Sequence, residues 1–308
     1  MGKNLKFGIS VNANDSLRGT VEKAKVAESS GLDYVWVSDS TVQLYAPIVA
    51  AAIASHTTRI RLGLGLMSPL LHDPQQIANS LITLCKEYGT RFDLCIGTGD
   101  RSQLFRAGLD LGNTLSLPAA IDKARTAIAS EIRHAHLKTR IWLGAQGPKM
   151  LRIASNFDGI LLNYSNPEMI RWAITRGKLR AGPKFTVGIS APSYVHSTMR
   201  SDIFELAKVA SAIVALGTTR SVLRRMGILD EIDLLREKAD RSPSLEEISS
   251  EIPSQIASDF SITKKQNDLP SYIQELSRLG VRHAVFGYPQ CHSVETVKEL
   301  ADALARIR

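Results

Sequence analysis

Cysteine is scarce: Cys85, Cys95 and Cys291 are an odd number, far apart along 308 residues and without a Cys-x-x-Cys pair. That excludes a disulfide-stapled scaffold and a cysteine-based structural zinc site, and it points to a reducing, cytoplasmic setting. Long apolar runs are lacking as well. The longest stretch free of Asp, Glu, Lys and Arg runs from Ser40 to Thr58, and its unbroken apolar part is only Tyr45 to Ala54, well short of the roughly 20 residues of a membrane-spanning helix. No membrane span is expected. Met1 to Lys6 lead straight into strand-like sequence and leave no room for a signal-peptide core. Gly2 lacks the Ser or Thr at position 6 that myristoylation requires. Metal-type clusters are missing too: His134 and His136 do not share a helix face, and Cys291-His292 has no matching pair, so no metal is expected. Spacing supports no Ser-His-Asp or Cys-His constellation.

What the chain does have is apolar content, at 44% against 22% charged residues, which is ample for a substantial core and unlike a disordered chain. The formal charge is +8. Its cations stand singly or in pairs such as Arg224-Arg225 and Lys264-Lys265, with no basic stripe interleaved with aromatics, so nucleic acid is not the expected partner. A small polyanionic ligand remains open.

Short apolar runs alternate with amphipathic segments. Strands are expected at Lys6 to Val11, Tyr34 to Asp39, Ile60 to Leu66, Phe92 to Ile96, Ile141 to Leu143, Gly159 to Asn163, Phe185 to Ile189 and His283 to Phe286. Between them lie helix signals: Asn14, Asp15 and Ser16 as caps, Asp73-Pro74, Gly89 as a stop, and openings near Pro118, Pro148 and Pro167. Eight strands, each followed by a helix, predict an α/β fold, the (β/α)8 TIM barrel, preferred over a doubly wound sheet because nothing glycine-rich follows the first strand. With no low-complexity linker, a single domain over 1–308 is expected, carrying a helical insertion after strand seven at about 217–268. Within it, Ser242-Pro243-Ser244 ahead of Glu246-Glu247 reads as a helix start.

In such a barrel, chemistry sits at the C-terminal strand ends. These are Ser10, Asp39, Leu64 to Ser68, Gly97 to Asp100, Gly144 to Lys149, Asn163 to Ser165, Ser190 to Ser193 and Gly287 to Pro289. Gly144-Ala145-Gln146-Gly147-Pro148-Lys149 opens a helix directly after a strand, either a phosphate-type anion loop or an ordinary tight turn. Gly63 and Gly65 interrupt a strand, marking a bulge, the approach of a flat ligand or a crowded barrel position. Gly97-Thr98-Gly99-Asp100 presents one carboxylate. Asp39 ends an apolar strand at the barrel mouth, where a structural and a catalytic role are equally open.

Taken in order, Lys6 to Ile9, Leu62 to Pro69, Ile96 to Asp100, Gly144 to Leu151, Ser165 to Pro167, Gly280-Val281 and Gly287 to Pro289 resemble the deazaflavin-dependent branch of the bacterial-luciferase-like family, over nearly the whole chain. The resemblance implies an oxidoreductase that binds coenzyme F420, with FMN and monooxygenase chemistry as the alternative. It implies hydride transfer between deazaflavin C5 and the methylene carbon of a tetrahydropterin-type substrate. It assigns the cofactor phosphate to Gly144, Ala145, Gln146, Gly147, Pro148 and Lys149, and a non-prolyl cis Gly65–Leu66 peptide to the back of the ring. Asp39, Gly97 and Thr98 would line the ring, and Asp100 would face the pterin. Ser10 stands where the branch's pterin reductases hold a proton-handling glutamate, and Ser40 where they hold a histidine. The segment from about Ser130 to Arg140 is shorter than theirs. A cofactor-binding paralogue without turnover is a third reading. A homo-oligomer is expected, with neither membrane nor nucleic acid as partner.

Overall fold

A computed structural model of the chain describes residues 5–11, 16–39, 44–99, 104, 107–109 and 116–307. Asn14, Asp15, Ser40 and Asp100, named above, lie outside these described residues. The ring is built from β1 (Lys6–Val11), β2 (Tyr34–Val37), β3 (Arg61–Met67), β4 (Phe92–Ile96), β5 (Ile141–Ala145), β6 (Gly159–Leu162), β7 (Thr186–His196) and β9 (His283–Gly287). Each pairs in parallel with its neighbours, and β1 closes on β9 through Phe7 against Ala284. This is a (β/α)8 barrel. A ninth strand, β8 (Ile262–Lys265), lies outside the ring, paired with the far end of β7 through Ser193 and Ile262.

The ring helices are α1 (Leu17–Ser29), α2 (Ala46–Ala54), α3 (Pro74–Tyr88), α4 (Leu117–His134), α5 (Pro148–Leu151), α6 (Pro167–Gly177), then α11 (Leu269–Arg278) and α12 (Val294–Ala305). Their starts follow the sequence chemistry. Asp73 accepts from Gln75 N at 2.9 Å and Gln76 N at 3.2 Å ahead of Pro74, and Asn166 accepts from Glu168 N ahead of Pro167. Ser293 and Thr296 form a reciprocal capping box. Of the expected caps for α1, Ser16 makes the bond, from Gly19 N. Between β7 and β8 come α7 (Ser201–Gly217), α8 (Arg220–Met226), α9 (Leu229–Arg241) and α10 (Ser254–Phe260), which share a core around Ala212, Leu223, Ile232 and Ile256.

Two expectations fail here. The Ser242–Ser244 start opens turns rather than an α-helix. Ser244 Oγ does accept from Glu247 N, but Ile252 then buries into the helical cluster just ahead of Pro253, which ends the segment. The strand expected to stop at Ile189 runs on to His196, so Ser193 is not at the mouth. Its buried hydroxyl bonds to the Ala191 carbonyl.

Alternation along the strands separates two cores. Ile9, Val35, Leu62, Leu94, Leu143, Ile160 and Phe286 face the helices in the large outer core. Tyr34, Trp36, Cys95, Trp142, Leu161 and Val285 fill the lumen instead. Among the described residues no single helix is long and apolar enough to cross a membrane, and the three cysteines are buried and joined by no disulfide.

Candidate active site

The lower lumen is packed and partly ionic. Arg61 meets the fully buried Asp93 at 2.6 Å, Tyr34 donates to the same carboxylate at 3.0 Å, and Trp36 Nε1 donates to His283 Nε2 at 2.8 Å. With Nε2 accepting, His283 uses Nδ1 to donate to the Lys6 carbonyl at 3.2 Å. Burial lowers its pKa to about 4, so the ring is neutral in the fold. Burial, then the Asp93 charge, pushes the Tyr34 phenol up to about 12.

Two residues further along several strands, on the same lumen face, the side chains shrink: Trp36 is followed by Ser38, Cys95 by Gly97 and Trp142 by Gly144. Gly63 is followed by Gly65 and Gly188 by Ser190, so the upper layer carries only small residues on these strands. Ser10 belongs to this upper layer, its hydroxyl 3.0 Å from that of Ser38. The barrel is therefore packed below and lined by small side chains at its C-terminal mouth, where Ser10, Ser38, Gly65, Gly144 and Ser190 are partly exposed. That is the end where TIM barrels carry their chemistry.

The two glycines of β3 do different work. A Cβ on Gly63 would fall 2.1 Å from the Trp36 ring, which is the crowded-barrel reading. Gly65 sits where the register with β4 shifts between Leu64 and Met67, which is the bulge reading, and its peptide bond to Leu66 is cis. A Cβ there would lie 2.6 Å from that of Cys95. The Leu66 side chain fills a slot made by two further glycines: Cβ atoms on Gly97 and Gly144 would stand 2.6 and 2.2 Å from its Cδ1.

The Gly144–Lys149 segment is fixed from three sides. Gly147 is the N-cap of α5 with Pro148 in its first turn. Tyr164 donates to the Gln146 carbonyl at 2.7 Å, and Gln146 Nε2 donates to Thr218 Oγ1 at 2.7 Å, tying the loop to the end of α7. Lys149 is exposed. No described residue accepts from the backbone N–H of Gly147 or of Lys149. Free amides beside an exposed ammonium suit an anion such as a phosphate.

Asp39 is held in a way that sequence spacing did not reveal. Its carboxylate, 5% exposed, lies 2.6 Å from Nε2 of His72, 22% exposed, in the turn after β3. Tyr45 packs its ring 5.7 Å from that imidazole. Ser68 bonds the Thr98 carbonyl at 2.9 Å and accepts from the His72 and Leu71 amides, so the turns after β3 and β4 form one rim. The structure thus brings Ser10, Asp39, Gly65, Leu66, Gly97, Thr98 and Gly144 to one mouth, with the Ala145–Lys149 loop on its edge. His72 is the residue that sequence reasoning missed.

A closed ring of eight parallel strands, with a glycine-lined bulge in β3 and a loop of free amides after β5, defines the class: a (β/α)8 TIM-barrel protein. The model described as luciferase-like monooxygenase matches residues 5–263, and the chain belongs to that family. The curated 5,10-methylenetetrahydromethanopterin reductase of Archaeoglobus fulgidus is 27% identical, over 92% of this chain and 94% of its own length. The reductase of the same name from Methanopyrus kandleri is 26% identical over 92% and 93%. The solved structure of coenzyme F420-dependent tetrahydromethanopterin reductase from Methanopyrus kandleri shares the fold, with a TM-score of 0.87 at 22% identity, covering 99% of this chain and all of that one.

Proposed function

We propose that this protein is a coenzyme F420-dependent oxidoreductase of the 5,10-methylenetetrahydromethanopterin reductase type. The observation that carries the reading is the mouth itself, where a bulged, glycine-lined floor and an anion loop occupy neighbouring strand ends. Similarity to curated reductases along nearly their full length supports it.

When bound, the deazaflavin supplies a hydride donor or acceptor at its C5. The chain's own residues bind and orient. Gly144, Ala145, Gln146, Gly147, Pro148 and Lys149 would take the phosphate through backbone amides and the Lys149 ammonium. The Gly65–Leu66 peptide would back the ring, with Gly97, Thr98 and Asp39 along its border. The packed lumen beneath, with Trp36 and Trp142 each 1% exposed, keeps water from entering from below. Holding two flat partners at one strand-end surface is the main catalytic contribution expected of such a site.

The family's description as monooxygenases favours a second reading, an FMN-dependent oxygenase. One experiment separates the two. The purified protein is mixed with F420 or FMN and binding is read by absorbance and fluorescence. Oxidation of reduced F420 is then followed on adding methylene-tetrahydromethanopterin. Tight F420 binding with pterin-dependent oxidation is expected. A yellow FMN complex that ignores F420 would overturn the proposal in favour of the oxygenase, and F420 binding without turnover would leave a cofactor-binding paralogue.

A further inference from the structure

The mouth contains an acid–base pair that the reading above leaves without a chemical task. Asp39 Oδ2 and His72 Nε2 are 2.6 Å apart, in a contact that is nearly closed to water on the carboxylate side. A carboxylate only accepts, so Nε2 carries the proton and Nδ1 is the atom left to exchange one. Nδ1 has no hydrogen-bond partner among the described residues, and the His72 side chain is 22% exposed. Tyr45 stacks at a tilt against the ring, and the Ala46 amide points at the other carboxylate oxygen from 3.5 Å, so both members are oriented. The turn that carries His72 is tied to Thr98 through Ser68. Ser10, by contrast, shares its hydroxyl with Ser38, and a serine hydroxyl is no acid near neutral pH.

We propose that His72, positioned by Asp39, is the proton donor of this site; the assignment rests on the reductase reading above. Reduction of a methylene-tetrahydropterin adds a hydride to the methylene carbon and breaks one of that carbon's two bonds to nitrogen. The electron pair of the broken bond stays on the nitrogen, which takes the proton from His72 Nδ1. The imidazole is left neutral with Nε2–H still on Asp39, and it regains its proton from water, to which the side chain is partly open. In the oxidative direction the same atom accepts the proton.

The test uses the full-length protein with reduced F420 and methylene-tetrahydromethanopterin, comparing wild type with His72→Ala, His72→Gln and Asp39→Asn. His72→Ala and His72→Gln are each expected to lower kcat by about 10²–10³-fold, with KM within about threefold. Affinity for F420, read by its fluorescence, should be unchanged. Added imidazole should restore part of the His72→Ala rate in proportion to its concentration. Asp39→Asn should lower kcat about tenfold, the size of effect seen when an orienting partner is lost. Full activity in folded His72→Ala would overturn the proposal. So would a loss that imidazole cannot restore and His72→Gln does not suffer, since glutamine could keep the hydrogen bond to Asp39 but cannot donate a proton. An inactive wild type would instead overturn the reductase reading, before any variant is compared.

Discussion

Gly144→Ala should destabilise the barrel through a single side chain, and removing that side chain should cancel the damage. A Cβ at 144 would stand 2.2 Å from Leu66 Cδ1, 3.2 Å from Leu66 Cγ and 3.3 Å from Cys95 Sγ. Carbon atoms in contact keep about 3.5–4.0 Å, so Leu66 must move by more than an ångström. It cannot slide toward β4, because Gly97 already forms the other wall of its slot. Overpacking of this kind costs about 1–3 kcal/mol. Leu66→Ala alone removes a half-buried isobutyl group, worth about 1–2 kcal/mol when the cost of a fully buried leucine is reduced for exposure. In the double variant the two Leu66 contacts are gone, and the nearest remaining one is the Cys95 sulfur at 3.3 Å. Its cost then falls close to zero, and the pair should cost little more than Leu66→Ala alone. Urea unfolding of the four proteins closes the cycle, with an expected coupling of about 1–3 kcal/mol between the two substitutions. Additivity within about 0.5 kcal/mol would refute the reasoning, because it would mean that Leu66 does not occupy the slot between Gly97 and Gly144.

Lys149→Glu should weaken F420 binding by about tenfold or more at low salt and by less at high salt, since an exposed charge facing a phosphate is screened; unchanged affinity would remove this loop from the site. His283 should make stability pH-dependent below neutrality. Its folded pKa of about 4 lies below the unfolded value of 6.5, so the unfolded chain binds the extra proton. Its contribution is present above pH 6.5 and is lost as pH falls toward 4, by about 3 kcal/mol at most. His283→Gln should flatten that slope in urea titrations, and an unchanged slope would assign it to other groups. Ile48 is 62% exposed on α2, a helix without a charged residue, beside Leu44 and Tyr45 at 41% and 38%. If the expected homo-oligomer buries that face, Ile48→Lys should lower the mass measured by light scattering, and an unaltered oligomer would place the interface elsewhere.

The ring strands were legible because each is a short, mostly apolar run, and local caps and glycines such as Asp73-Pro74 and Gly89 mark the helices between them. The end of β7 was not legible, because Pro192 reads as a strand terminator. In the barrel that proline lies opposite Gly287 at the rim, and the strand continues to recruit β8. The Ser242 helix start failed because a cap bond announces a helix without enforcing one: Ser244 accepts from Glu247 N, yet the chain there makes turns and then a short 3-10 helix over Ser249–Glu251. Asp39 was visible as a polar end to an apolar strand. His72 was not, because only the lateral pairing of β2 with β3 brings residues 33 positions apart into contact.

One signal for the site was present in the sequence but needed the lumen face to be recognised. Trp36-x-Ser38, Trp142-x-Gly144 and Leu161-x-Asn163 each place a large residue two positions before a small or short polar one. With a two-residue period, such pairs lie on one face of their strands, the large member deep and the small member toward the C-terminal end. A packed barrel has no need of that gradient, since its layers are filled by bulky side chains throughout. Repeated on three strands, the gradient describes a lumen that is packed deep and lined by small residues at its C-terminal end, and it does so without any motif. Gly63-x-Gly65 breaks the pattern because Trp36 already fills the space at Gly63, so β3 contributes backbone rather than side chain to the lumen. That backbone is the floor on which the proposed ring would rest, and Leu66, seated between Gly97 and Gly144, fixes it in place.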